Sequence, residues 1–166
     1  MKAYIGIDNG VSGSLALVVE ENAEFRKMPT FKEQSYTKAK AQITRVSWMD
    51  LDIILAAWCS RPYDNIRAFI ERPYMNPKGF KATVSALRCL EATLISIERA
   101  AGLSYEYIDS KQWQKVMLPK GCKGPDLKTA SRDIGCRLFP GHSVAIKIHK
   151  DADSLLIAEW ARRAGL

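Results

Sequence analysis

Cysteine is sparse and badly placed for chemistry in this chain. Cys59, Cys89, Cys122 and Cys136 are widely and irregularly spaced, and no C-x-x-C pair occurs. That spacing excludes a zinc ribbon or a dithiol redox centre, and free, mostly buried thiols are expected. Long apolar runs are missing as well. The longest, residues 53–59, is far shorter than the ~20 residues a membrane-spanning helix needs. Asp8 interrupts the N-terminal apolar stretch where a signal peptide would keep its apolar core. A cytoplasmic chain with no membrane partner is therefore expected. Internal repeats and low-complexity tracts are absent too. The 166 residues, 47% apolar and 26% charged, suit one domain spanning 1–166 with a substantial core.

Acidic residues are scarce in one part of the chain. Between positions 111 and 150 there are nine Lys or Arg against two acids, Asp126 and Asp133, so this segment carries the whole net charge of +7. A smaller basic cluster, Arg72, Lys78, Lys81 and Arg88, precedes Glu91. Positive charge confined to particular segments points to a phosphate-binding face, with a solvated basic surface as the alternative.

What remains reads as an α/β chain. Tyr4, Ile5 and Ile7 favour a strand ending at Asp8, and residues 15–19 return as a second strand, with Asn9-Gly10 offering a two-residue turn. Residues 23–28 make a third antiparallel strand, ended by Pro29. Residues 30–45 lack a period and read as loop with room for a short helical turn. Ser47 or Asp50 caps a helix to about residue 60 through Trp48, Leu51, Ile54, Leu55 and Trp58. Arg67-Ala68-Phe69-Ile70 is a short strand that ends in Glu71, repeating the placement of Asp8. After a loop with an exposed Tyr74, a long amphipathic helix runs from Val84 to Ala101 and ends at Gly102; it can cover the sheet, a partner subunit, or both. Residues 103–108 give another strand. Asp109 or Ser110 then caps a helix bearing Trp113, Val116 and Met117, which Pro119 ends. A basic loop leads into a helix over 126–139 with Leu127, Ala130, Ile134 and Leu138 on one face. The last helix, 151–164, turns Leu155, Leu156, Ala158 and Ala161 to a core.

Asp8, Glu71 and the pair Asp151 and Asp153 are widely separated acids that a mixed sheet could gather. Hard oxygen donors suit Mg²⁺ or Mn²⁺ rather than zinc. Two such ions about 4 Å apart can activate a water and stabilise the leaving oxygen during attack on a phosphodiester. Plainer roles exist for three of these acids: a turn residue for Asp8, a partner of Arg72 or another cation for Glu71, a helix N-cap for Asp151. A D-x-G turn also opens the phosphate-binding half of actin-like ATPases and sugar kinases, but that architecture needs two halves and this chain holds one copy.

Three segments, Ile5-Gly6-Ile7-Asp8-x-Gly10, Ile70-Glu71-x-x-Tyr74-Met75 and Ala152-Asp153-Ser154-Leu155-Leu156-Ile157-Ala158, resemble in order the active-site segments of the RuvC family of Holliday junction resolvases, particularly its short bacteriophage versions. The resemblance spans nearly the whole chain. It implies an RNase H-like fold: a five-stranded mixed sheet, three antiparallel N-terminal strands plus two parallel ones, flanked by helices. It also implies a homodimer in a bacterial or phage-infected cell that resolves four-way or other branched DNA by paired, Mg²⁺-dependent hydrolysis, with two ions per site and Mn²⁺ able to substitute. Asp8, Glu71 and Asp153 match the family's first, second and last carboxylates. Its fourth position, an acid or a histidine three residues before the last aspartate, is Lys150 here, so Asp151 and His149 are rival fourth ligands, with Asp151 preferred for its oxygen. Tyr74 matches an aromatic that stacks on bases near the crossover, while Lys78, Lys81, Lys111, Lys115, Lys120, Lys123 and Lys128 are the candidate DNA contacts. An RNase H-like nuclease for other DNA or RNA structures, and a junction-binding protein without cleavage, are the alternatives.

Overall fold

The computed structural model describes residues 1–36, 38 and 40–166. Its main sheet has five strands in the order β3-β2-β1-β6-β7: β1 (Lys2–Asp8), β2 (Ser14–Val19), β3 (Asn22–Lys27), β6 (Asn65–Glu71) and β7 (Ser104–Ile108). β1 pairs antiparallel with β2, which pairs antiparallel with β3, while β1–β6 and β6–β7 are parallel. This is the mixed sheet of three antiparallel and two parallel strands that the sequence implied.

Strand alternation sorts the core onto two faces. Ala3, Ile5, Ile7, Ile66, Ala68 and Ile70 pack with Leu51, Leu55 and Trp58 of α1 (Trp48–Cys59) and Cys89 and Ile97 of α2 (Phe80–Arg99). On the opposite face Tyr4, Phe69 and Ile108 pack with Trp113 and Met117 of α3 (Ser110–Met117) and with Leu155 to Ala158 and Ala161 of α6 (Asp153–Ala164). In the chain, α4 (Pro125–Leu138) and α5 (Ser143–His149) come between α3 and α6, and Ile134 and Ile146 join this second core. Gly6 lets α6 lie directly on the central strand. A Cβ there would stand 2.0 Å from the Ser154 carbonyl oxygen and 2.7 Å from the Ala158 nitrogen.

Several expectations are corrected. Asp8 pairs with Ser14, so Asn9-Gly10 is not a two-residue turn but part of a five-residue connection closed by the Gly13 N–H on the Gly10 carbonyl at 3.0 Å. Residues 30–45 hold an antiparallel hairpin, β4 (Thr30–Gln34) and β5 (Gln42–Val46), instead of loop; within it, Thr37 and Ala39 lie outside the described residues. On α3, Trp113 and Met117 are buried and Val116 is 63% exposed. The helix assigned from residue 151 starts at Asp153 and is preceded by α5, which the sequence did not announce. Of the four free cysteines only Cys89 is buried, the others being half-buried. No helix among the described residues is long and apolar enough to cross a membrane.

Candidate active site

Register brings the first two acids together. Ile7 stands beside Ile70 in the parallel β1–β6 pair, so the next residues, Asp8 and Glu71, end neighbouring strands. By alternation both belong to the face that carries α6. The third and fourth acids come from the α5–α6 junction. Lys150 closes α5 in the left-handed conformation, φ +83°, which turns the chain so that Asp151 is buried and Asp153 opens α6. Each of Asp8, Asp151 and Asp153 offers a carboxylate oxygen, and these atoms lie within 4.8 Å of one another.

Burial and mutual repulsion govern the charge of this cluster. Asp8 is held well above the usual carboxylate range, first by burial and then by Asp153, Glu71 and Asp151, with Lys128 opposing. Glu71 is raised to about 7, chiefly by burial, against the lowering effect of its hydrogen bond from Trp113. Asp153 is raised to about 6, again by burial, although a Ser131 hydrogen bond lowers it. Such acids in close array fit a hard divalent cation. Asp151 supplies a second reason: its Oδ1 is buried without a hydrogen-bond partner, an acceptor that a cation would satisfy.

His149, the rival fourth ligand, is placed differently from Asp151. Its Nε2 lies 3.4 Å from Asp151 Oδ1 but is not aligned for a hydrogen bond, and the imidazole is edge-on to Phe25. It stands outside the three-acid cluster. Burial lowers its pKa more than Asp151 raises it.

Three contacts hold the acids, and the sequence reading anticipated none of them in that role. The Trp113 indole N–H donates to Glu71 Oε2 at 2.9 Å. Ser131 Oγ donates to Asp153 Oδ1 at 2.5 Å while accepting from the Ala152 N–H at 3.1 Å. Lys128, read only as a DNA contact, has its ammonium 3.3 Å from Asp151 Oδ2. The remaining basic candidates are exposed: Lys78 and Lys81 around the start of α2, Lys111 and Lys115 on α3, Lys120 and Lys123 in the loop before α4. Tyr74, 83% exposed, sits three residues beyond Glu71. Because β1, β6 and β7 run parallel, segments 9–13 and 72–79 and the start of α3 all leave the sheet at the edge where Asp8 and Glu71 lie.

The raised carboxylates carry a stability consequence. A group whose folded pKa exceeds its unfolded value adds stability below the unfolded value and loses it as pH rises through the folded one. In chelator the melting temperature should therefore fall between about pH 5 and pH 8, as Asp153 and Glu71 ionise, and divalent metal should restore it at the upper end. A melting temperature that is flat or rises over that range in chelator contradicts this picture of the cluster.

The fold, a five-stranded mixed sheet flanked by helices, matches that of solved RuvC structures. The solved structures it is similar to include Thermus thermophilus RuvC in complex with Holliday junction substrate, at 15% identity and TM-score 0.58, and Thermus thermophilus RuvC, at 14% and 0.50. Each match covers 98% of this chain and 96% of the other. No family model matches the chain, and no curated protein matches it in sequence.

Proposed function

We propose that this chain is a metal-dependent endodeoxyribonuclease that resolves four-way or other branched DNA junctions. The observation that carries the reading is the convergence of Asp8, Asp151 and Asp153, with Glu71 beside them, at the strand-end edge from which the Tyr74 loop departs. The similar fold of a RuvC bound to a Holliday junction supports the choice of substrate.

In this reading Asp8, Asp151 and Asp153 would hold one Mg²⁺ or Mn²⁺, and Glu71 would help to hold a second. Such ions would supply activation of the attacking water and stabilisation of the leaving oxygen. The protein's part is positional. Ser131 and Trp113 aim the carboxylates. The Lys128 side chain, 67% exposed beside Asp151, places an ammonium at the rim of the cluster where it could meet a phosphate oxygen. Tyr74 offers an exposed ring on which a base at the branch point can stack, a contact worth ~1–3 kcal/mol without sequence readout.

Paired nicks require two sites, and a homodimer supplies them. A groove of about 1100 Å³ between α2 and the β4–β5 hairpin is lined by Phe31, Trp48, Phe80 and Ile95, each at least 42% exposed. We assign that face to the second copy. The test of the function is cleavage in Mg²⁺ of a labelled four-way junction alongside a Y-fork, a plain duplex and an RNA–DNA hybrid. Preferential cutting of the junction is expected. Preference for the hybrid or the fork moves the substrate elsewhere, and junction binding without cutting makes the chain a binding protein.

A further inference from the structure

Glu71 is the one acid of the site whose placement the cluster itself does not explain, because the group within mutual reach is Asp8, Asp151 and Asp153. The geometry points to Trp113 as the residue that positions Glu71 for metal, an inference that rests on the nuclease reading above. Trp113 is fully buried, 0% exposed, among Phe69, Ile108 and Met117. It sits in the first turns of α3, whose start is fixed by a reciprocal cap: the Asp109 side chain accepts from the Gln112 N–H, and Gln112 Oε1 accepts from the Asp109 N–H at 2.7 Å. The indole is a rigid plate with one donor and no acceptor, so its direction is set by packing and it cannot turn to another partner. That donor meets Glu71 Oε2 at 2.9 Å across 42 positions of sequence. One carboxylate oxygen is committed, and Oε1 is left for a cation.

The type of donor matters. A neutral N–H orients the carboxylate while leaving its charge available. Partners of this kind, behind a metal-ligating carboxylate, typically change metal affinity by about 10–100-fold.

The experiment is Mn²⁺ titration of the full chain without DNA, followed by calorimetry, for wild type, Glu71→Gln and Trp113→Phe. The difference between wild type and Glu71→Gln defines the Glu71-dependent part of binding. Trp113→Phe keeps an aromatic ring and deletes the donor. It should weaken that part about 10-fold, leave the remaining Mn²⁺ binding within about 2-fold, and have no further effect in the Glu71→Gln background. Melting curves report whether the variant is folded. If Phe fails there, benzothienylalanine at 113 keeps the bicyclic shape without the N–H and gives the same comparison. Wild-type affinity in a folded variant overturns the inference, as does equal weakening of all Mn²⁺ binding, which marks a general packing defect. Loss of Mn²⁺ binding in the wild type itself overturns the metal-dependent reading, whereas wild-type binding that Glu71→Gln leaves intact removes Glu71, and with it Trp113, from the site alone.

Discussion

Asp8→Asn should lower phosphodiester cleavage by about 10³-fold or more while leaving junction binding in Ca²⁺ unchanged. Asp8 ends the central strand, and it is the acid against which Asp153, Glu71 and Asp151 all act electrostatically. Amide replacement keeps its size and removes the charge that a divalent cation needs. Folding should not suffer. The wild-type carboxyl is held above its normal range by burial and by acidic neighbours, so the uncharged amide should raise the melting temperature of the metal-free protein at neutral pH. The two readouts therefore move in opposite directions: activity is lost while metal-free stability is gained. Near-normal turnover in Asp8→Asn removes the site from consideration. A lower metal-free melting temperature contradicts the account of its electrostatics.

Gly6→Val should be strongly destabilising, costing about 4–5 kcal/mol out of the ~5–15 kcal/mol typical of a native protein. The first atom of any side chain at Gly6 meets backbone, 2.0 Å from the Ser154 oxygen and 3.0 Å from its carbonyl carbon. Backbone cannot rotate away as a side chain can, so α6 must lift from β1. That helix buries Leu155, Leu156, Ile157, Ala158 and Ala161, all at 0% exposure, and it carries Asp153. Lifting it would open the core and part Asp153 from Asp8 together, so activity should fall with stability. Gly10→Ala is the control: a Cβ there meets nothing closer than 3.9 Å and should cost no more than about 1 kcal/mol. Denaturant midpoints measure both, and a wild-type midpoint for Gly6→Val contradicts the close helix–strand approach.

The sheet and two of its acids were legible because strand alternation and the repeated strand–carboxylate ending are local signals. Ile5, Ile7, Ala68 and Ile70 face one core, and the polar strand ends follow from counting. The β4–β5 hairpin was not legible, since both strands are largely exposed and neither shows apolar alternation. Helix α5 hid for a related reason. Ile146 is its one buried residue, while Val144 and Ile148 face solvent at 74% and 63% exposure. The location of Asp151 then depended on a left-handed Lys150, and lysine gives no local hint of that backbone state as glycine would. Gly6 was read only as part of a motif, yet its meaning is steric and comes from a helix that begins at residue 153. The supporting contacts of Trp113, Ser131 and Lys128 join positions 42, 22 and 23 residues apart, and nothing local in the sequence marks them.

Whether these acids cut branched DNA is tested most directly by mapping nicks on an immobile four-way junction in Mg²⁺. Paired nicks placed symmetrically across the branch point, absent with Asp8→Asn and absent on the matching duplex, are the predicted result. Intact junction strands under conditions where the protein is folded and bound to the junction would contradict it.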